Sequence, residues 1–108
     1  MMRLGPECDT IWKYPLPLME EPSIEMPEGS IPLSVGMTHD GPAVWAAVPS
    51  WNAENEQHRF KLKGTGHPFP DLLAHRFIGT FMVFGLIYHL FDAGPEPKEL
   101  RQVEVGER

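Results

Sequence analysis

Two runs of alternating apolar and small or polar residues flank one Asp-Gly step, and no other feature restricts the fold as much. They are Ile31-Pro32-Leu33-Ser34-Val35-Gly36-Met37 and Ala43-Val44-Trp45-Ala46-Ala47-Val48, joined through Thr38-His39-Asp40-Gly41-Pro42. Side chains in a strand alternate between faces, so period-two runs on either side of such a turn specify a β-hairpin. With Asp40-Gly41 as a two-residue loop, His39 faces Pro42 and Met37 faces Val44. Val35 then faces Ala46, and Leu33 faces Val48, all on one apolar face. On the other face Trp45 lies against Gly36, where a large ring covers a strand glycine.

The rest of the chain also reads as short strands. Trp12, Tyr14, Leu16 and Leu18 share one parity. Pro15 and Pro17 share the other and place this strand at an edge, because proline cannot donate to a ladder. Ile24 and Met26 alternate with Ser23 and Glu25 before a type I turn at Met26-Pro27-Glu28-Gly29. Gln57 to Lys63 sets His58, Phe60 and Leu62 inward and Arg59, Lys61 and Lys63 outward. Two glycines and two prolines make 64–70 irregular. Asp71 is placed to cap a short helical turn near residues 71–76. Phe77 to Met82 and Leu86 to Phe91 form a last strand pair that turns near Gly85. The expected fold is all-β: an antiparallel sandwich or partly open barrel of six or seven short strands.

At 108 residues and 42% hydrophobic content, the chain supports one domain with one modest core. The domain is expected over 10–92, with a flexible end at 1–9 and a flexible charged tail at 93–108. The net charge of −6 argues against sequence-independent nucleic-acid binding, which depends on neutralising phosphates. Cys8 is the single cysteine, so no intramolecular disulfide can form. The N-terminus lacks the apolar stretch of a signal peptide. The apolar run at 77–91 is shorter than the roughly 18 residues of a membrane span. No membrane association is expected.

Several segments in order resemble one family: Thr10-Ile11-Trp12-Lys13-Tyr14-Pro15-Leu16, Ile24-Glu25-Met26-Pro27-Glu28-Gly29, Trp45-Ala46-Ala47-Val48, Gly64-Thr65-Gly66-His67-Pro68, Ile78-Gly79-Thr80-Phe81 and His89-Leu90-Phe91-Asp92. The pattern is similar to that of short, uncharacterised proteins encoded by bacteriophages and prophages, and it covers about residues 10–92. The resemblance implies a protein of the bacterial host cytoplasm and carries no activity with it. The chain departs from it at Met82-Val83-Phe84-Gly85-Leu86, where the family has a more polar turn. That departure marks an extra apolar contact surface.

Two groups of residues stand out as candidate sites. In the first, glycines of Gly64-Thr65-Gly66-His67 let backbone amides approach an anion, with His67 as proton or hydrogen-bond donor and Arg59, Lys61 and Lys63 running into the loop. A tight strand exit beside a solvated sheet face is the plainer alternative. In the second, Trp45 and Trp51 are candidate partner contacts, since aromatic anchors carry much of the energy of protein interfaces. No His-x-His, His-Glu-x-x-His, Gly-x-Ser-x-Gly or P-loop pattern occurs, so no catalytic residue, metal or cofactor is assigned. The expected function is non-enzymatic: a phage accessory protein that binds and modulates a host protein, with defence inhibition as one form. The alternatives are a binder that sequesters a nucleotide signal and a metal-assisted hydrolase around His67. Open strand edges and the apolar final hairpin also suggest a homodimer.

Overall fold

The computed structural model describes residues 8–51 and 54–97. The expected flexible ends therefore fall outside the described residues at 1–7 and 98–108. Among the described residues there are seven strands: β1 Thr10–Pro15, β2 Ser23–Pro27, β3 Ile31–Thr38, β4 Gly41–Val48, β5 Asn55–Gly64, β6 Arg76–Val83 and β7 Leu86–Pro95. They form two antiparallel sheets, one ordered β1-β4-β3 and the other β2-β5-β7-β6. The sheets face each other as a sandwich and do not close into a barrel. A 3-10 turn at Leu72–Ala74 lies within the stretch expected to be helical. Asp71 makes no side-chain cap there; its carbonyl instead accepts the Ala74 N–H.

Alternation builds the core. Glu56, His58, Phe60 and Leu62 of β5 are buried, while Arg59, Lys61 and Lys63 point the other way. Ile24, Met26, Val44, Ala46, Val48, Phe81 and Leu90 complete the packing between the sheets. Each large apolar side chain so buried contributes about 1.5–3 kcal/mol.

The central hairpin forms, with Val35 opposite Val44, but its register differs from expectation. Thr38 pairs with Gly41, so the loop is His39-Asp40 and Met37 faces Pro42. Neither loop residue has a positive φ. The left-handed step falls on Gly41, at φ 115°, as in a type I turn followed by a glycine bulge. The Thr38 hydroxyl donates to the Gly41 carbonyl at 2.7 Å and fixes this turn. Leu33 is also not in the core: it is the extra residue of a bulge between Pro32 and Ser34, so Pro32 faces Ala46 and Leu33 is 45% exposed. Trp45 pairs with Ser34, yet its ring still reaches over Gly36, where a Cβ would lie 3.6 Å from it.

Three other expectations shift. The first turn is Pro27-Glu28-Gly29-Ser30, closed by Ser30 N–H to the Pro27 carbonyl at 3.0 Å. Gly29 at φ 89° occupies its third position, which suits a type II turn. Leu18 lies in the loop after β1 and is exposed. β7 runs past Phe91 to Pro95, because an extra residue, Ala93, is accommodated opposite Arg59–Phe60, with Gly94 at φ 85°.

The two sheets meet along β3 and β6. A Cβ on Gly79 would lie 3.0 Å from Val35 Cγ1, and Arg76 Nη2 donates to the Pro32 carbonyl at 2.6 Å. Both contacts advance in the same direction along the chain, so β3 and β6 run side by side and parallel. Their turns, His39-Asp40 and Phe84-Gly85, therefore emerge at one end. On the opposite side of the sandwich, β1 and β2 each end a sheet and border a groove.

Candidate functional site

The end that carries the two turns is apolar, and among the described residues its large side chains stay exposed. Leu86 pairs with Val83 and Tyr88 with Phe81, so both continue the inward face of β7. Leu86 nevertheless remains exposed, as do Met82 and Ile87, paired on the outer face of the same hairpin, and Met37 next to the other turn. A groove of about 360 Å³ opens there between Leu18, Met19 and Glu20 of the β1–β2 loop and Leu62, Gly64, His67 and Tyr88.

Phe84 crowns this end. Phe84 and Gly85 have φ of 51° and 80°, the pattern of a type I′ hairpin turn. Among the described residues Phe84 alone is a non-glycine with positive φ. Its side chain is 97% exposed. A left-handed conformation costs an L-residue roughly 1–2 kcal/mol. Full exposure also forgoes the burial energy a phenyl ring would otherwise contribute.

The glycine loop borders this end. His67 N–H donates to the Gly64 carbonyl at 3.1 Å, and the His67 ring lies so close that a Gly64 Cβ would meet Cε1 at 3.1 Å. Gly64 thus admits the imidazole of its own loop. Thr65 Oγ1 contacts His89 Nε2 at 2.7 Å, and Thr80 Oγ1 contacts His89 Nδ1 at 2.9 Å. Residues beyond Pro68 fold back over the outer face of the larger sheet. Phe69 there packs edge-on against Phe91, with centroids 5.0 Å apart, and Lys63 Nζ lies 5.4 Å from the Phe69 centroid.

The three cations of β5 share one face, but each has partners. Lys61 Nζ is 2.8 Å from Glu21, and Lys63 Nζ is 3.0 Å from Glu20. The hydrogen bond and charge of Lys61 hold the Glu21 carboxyl below its ordinary pKa. Arg59 donates to the carbonyls of Ala93 and Gly94. The two tryptophan candidates are not brought to this loop. Trp45 is half-buried against Gly36, and Trp51 lies beyond the other end of β4, where Asp9 accepts from both the Ser50 N–H and hydroxyl.

Sequence reasoning missed a partly buried polar network on the inner side of β5, next to Arg59. Asp92 Oδ1 contacts His58 Nε2 at 2.7 Å and accepts the Gly94 N–H at 2.8 Å; Asp92 Oδ2 accepts Arg76 Nη2 at 3.0 Å. Burial alone would raise the Asp92 carboxyl. The hydrogen bonds from His58 and Gly94, the charge of His58 and the Arg76 bond outweigh it, so the pKa lies below the ordinary 3.8. His58 is only 3% exposed and its Nδ1 has no partner. A His–Asp pair can move protons, but this one is enclosed in the core and ties strands together. Among the described residues no group of three or more His, Cys, Asp or Glu could hold a metal ion, and no helix is long and apolar enough to cross a membrane.

Comparison with known proteins gives one family match: residues 8–101 match the model of a family described as a domain of unknown function (DUF7352). No curated protein and no solved structure matches the chain.

Proposed function

The chain belongs to the DUF7352 family, and on the geometry of its open apolar end we propose that it is a non-enzymatic protein that binds a partner protein there. Phe84 carries this reading. A fully exposed phenyl ring on a left-handed residue weakens the fold and gives nothing back within the monomer. Such a residue is accounted for if its ring enters a pocket on another molecule, as interface anchors do. Met82, Leu86, Ile87 and Met37 supply an apolar surround. The phage-like pattern of the sequence supports the reading of an accessory protein that acts on a bacterial host protein, with a defence factor as one class of target.

A nucleotide binder asks instead for cations free to face phosphate. Those of β5 are engaged with Glu20, Glu21 and backbone carbonyls. A metal-assisted hydrolysis around His67 asks for a ligand cluster, which the described residues do not form.

Affinity capture from host lysate, run in parallel with wild type and Phe84→Asn, tests the proposal. The expected result is one host protein recovered by wild type, lost with Phe84→Asn, and bound again when both components are purified. Equal recovery by the two proteins would refute the assignment. So would light scattering that shows Phe84-dependent self-association, because a second copy would then occupy the surface.

A further inference from the structure

A second groove lies between the two sheet-ending strands. It holds about 300 Å³ and is lined mainly by Trp12 and Tyr14 of β1, Met26 and Pro27 of β2, and Val48 and Pro49. Trp12 pairs with Ala46 and Tyr14 with Val44, both of which are fully buried, so the two rings stand on the core-facing side of β1. Tyr14 sinks far enough that burial pushes its hydroxyl pKa up. Trp12 does not: it is 58% exposed, although it points towards the interior. The cause is the seam itself. β1 and β2 belong to different sheets, and among the described residues no strand bridges them.

The rim is acidic. Glu25 lines the groove, and Asp9 is bonded to Ser50 beside Pro49. Glu54, whose carbonyl accepts the Glu28 N–H, stands next to Asn55. Lys13 lies between Trp12 and Tyr14 in sequence but pairs with Trp45 on the outer face. The seam therefore offers an apolar, aromatic floor inside a negative edge.

We propose that this seam binds an extended, proline-containing peptide that carries arginine or lysine. Charge complementarity selects the basic residues. The aromatic floor selects prolyl and aliphatic side chains, as aromatic-lined grooves do for polyproline II segments. Addition of a β-strand is the less suitable mode. β1 ends on Pro15 and β2 on Pro27, and neither can donate a hydrogen bond to an added ladder. A polyproline II segment makes no such demand, because it is ordered before it binds.

Amide and indole NMR of the full chain tests this with two synthetic octapeptides, Arg-Pro-Leu-Pro-Pro-Leu-Pro-Arg and the same sequence with glutamate at both ends. The arginine peptide should shift the indole N–H of Trp12 and the amides of β1 and β2, while Trp45 stays unmoved. The glutamate peptide should bind at least tenfold more weakly. Trp12→Ala should weaken the arginine peptide by tenfold or more. If that variant does not fold, Glu25→Lys serves instead and should narrow or reverse the preference between the peptides. No shift at the seam with the arginine peptide, equal binding of the two peptides, or shifts confined to the Phe84 hairpin would each overturn the proposal. Only the last of these results touches the Phe84 surface, which lies at the other end of the strands; the others leave partner capture through Phe84 as it stands.

Discussion

Asp92 is the residue on which most of the buried polar structure converges. It joins His58 of β5, Arg76 of β6 and the Gly94 N–H of its own strand, and Arg76 continues to the Pro32 carbonyl of the other sheet. Removing the carboxylate leaves the buried His58 without its hydrogen bond, at about 1–3 kcal/mol, while the half-exposed Arg76 end is screened by solvent. Asp92→Ala should lower stability by that order, read as a shift of the urea midpoint. The pH dependence has a definite sign. The folded-state pKa is depressed, so the stabilisation is present above the unfolded value near 3.8 and is lost as pH falls through the lower folded value. Wild type should lose stability below about pH 4 faster than Asp92→Asn in urea titrations at successive pH values. Parallel pH profiles would show that Asp92 is not linked to folding. The inward position of His58 was legible from strand parity alone. Its partnership with Asp92 was not, because the two lie 34 positions apart and only the sheet order brings β5 beside β7.

At the scale of elements, alternation identified the strands, but bulges altered how some of them meet. The faces of β5 follow directly from its sequence. The register of β3 does not, since the bulge at Leu33 is set by what the partner strand can accommodate. Leu33→Thr should therefore cost less than about 0.5 kcal/mol, as exposed substitutions do. A core leucine would cost about 2–5 kcal/mol on truncation, so chemical denaturation separates the two cases. Gly79 marks the approach of β6 to β3. A methyl group there would press on Val35 Cγ1 at 3.0 Å. Gly79→Ala should destabilise by about 1–3 kcal/mol through overpacking, and Gly79→Ala with Val35→Ala should recover part of that loss. The basic stripe shows the same limit of sequence reading: the alternation of Arg59, Lys61 and Lys63 was visible, but the pairing of Lys61 and Lys63 with a loop some 40 residues earlier, and of Arg59 with carbonyls of β7, was not.

At the scale of the whole molecule, the two ends of the sandwich differ in chemistry. One carries the apolar turns and Phe84; the other gathers acids around an aromatic seam. Composition announced the acidity, with six acids against two bases in the first thirty residues, but only the fold places Glu25 in the groove with Trp12 and turns Glu20 and Glu21 towards Lys63 and Lys61. The glycine loop was legible as an irregular strand exit, and it proves to border the apolar end, with its histidine turned onto Gly64. Trp51 was legible as an exposed tryptophan, and it lies away from that loop.

The central claim is that Phe84 is kept for recognition at a cost to the fold, and its most direct test is the melting temperature of Phe84→Asn. Asn-Gly is the sequence that a type I′ turn prefers. The substitution should stabilise the isolated protein by roughly 0.5–1.5 kcal/mol, which raises Tm by several degrees in a domain of this size. A fall in Tm would mean that the phenyl ring packs within the monomer, and the claim would then be contradicted.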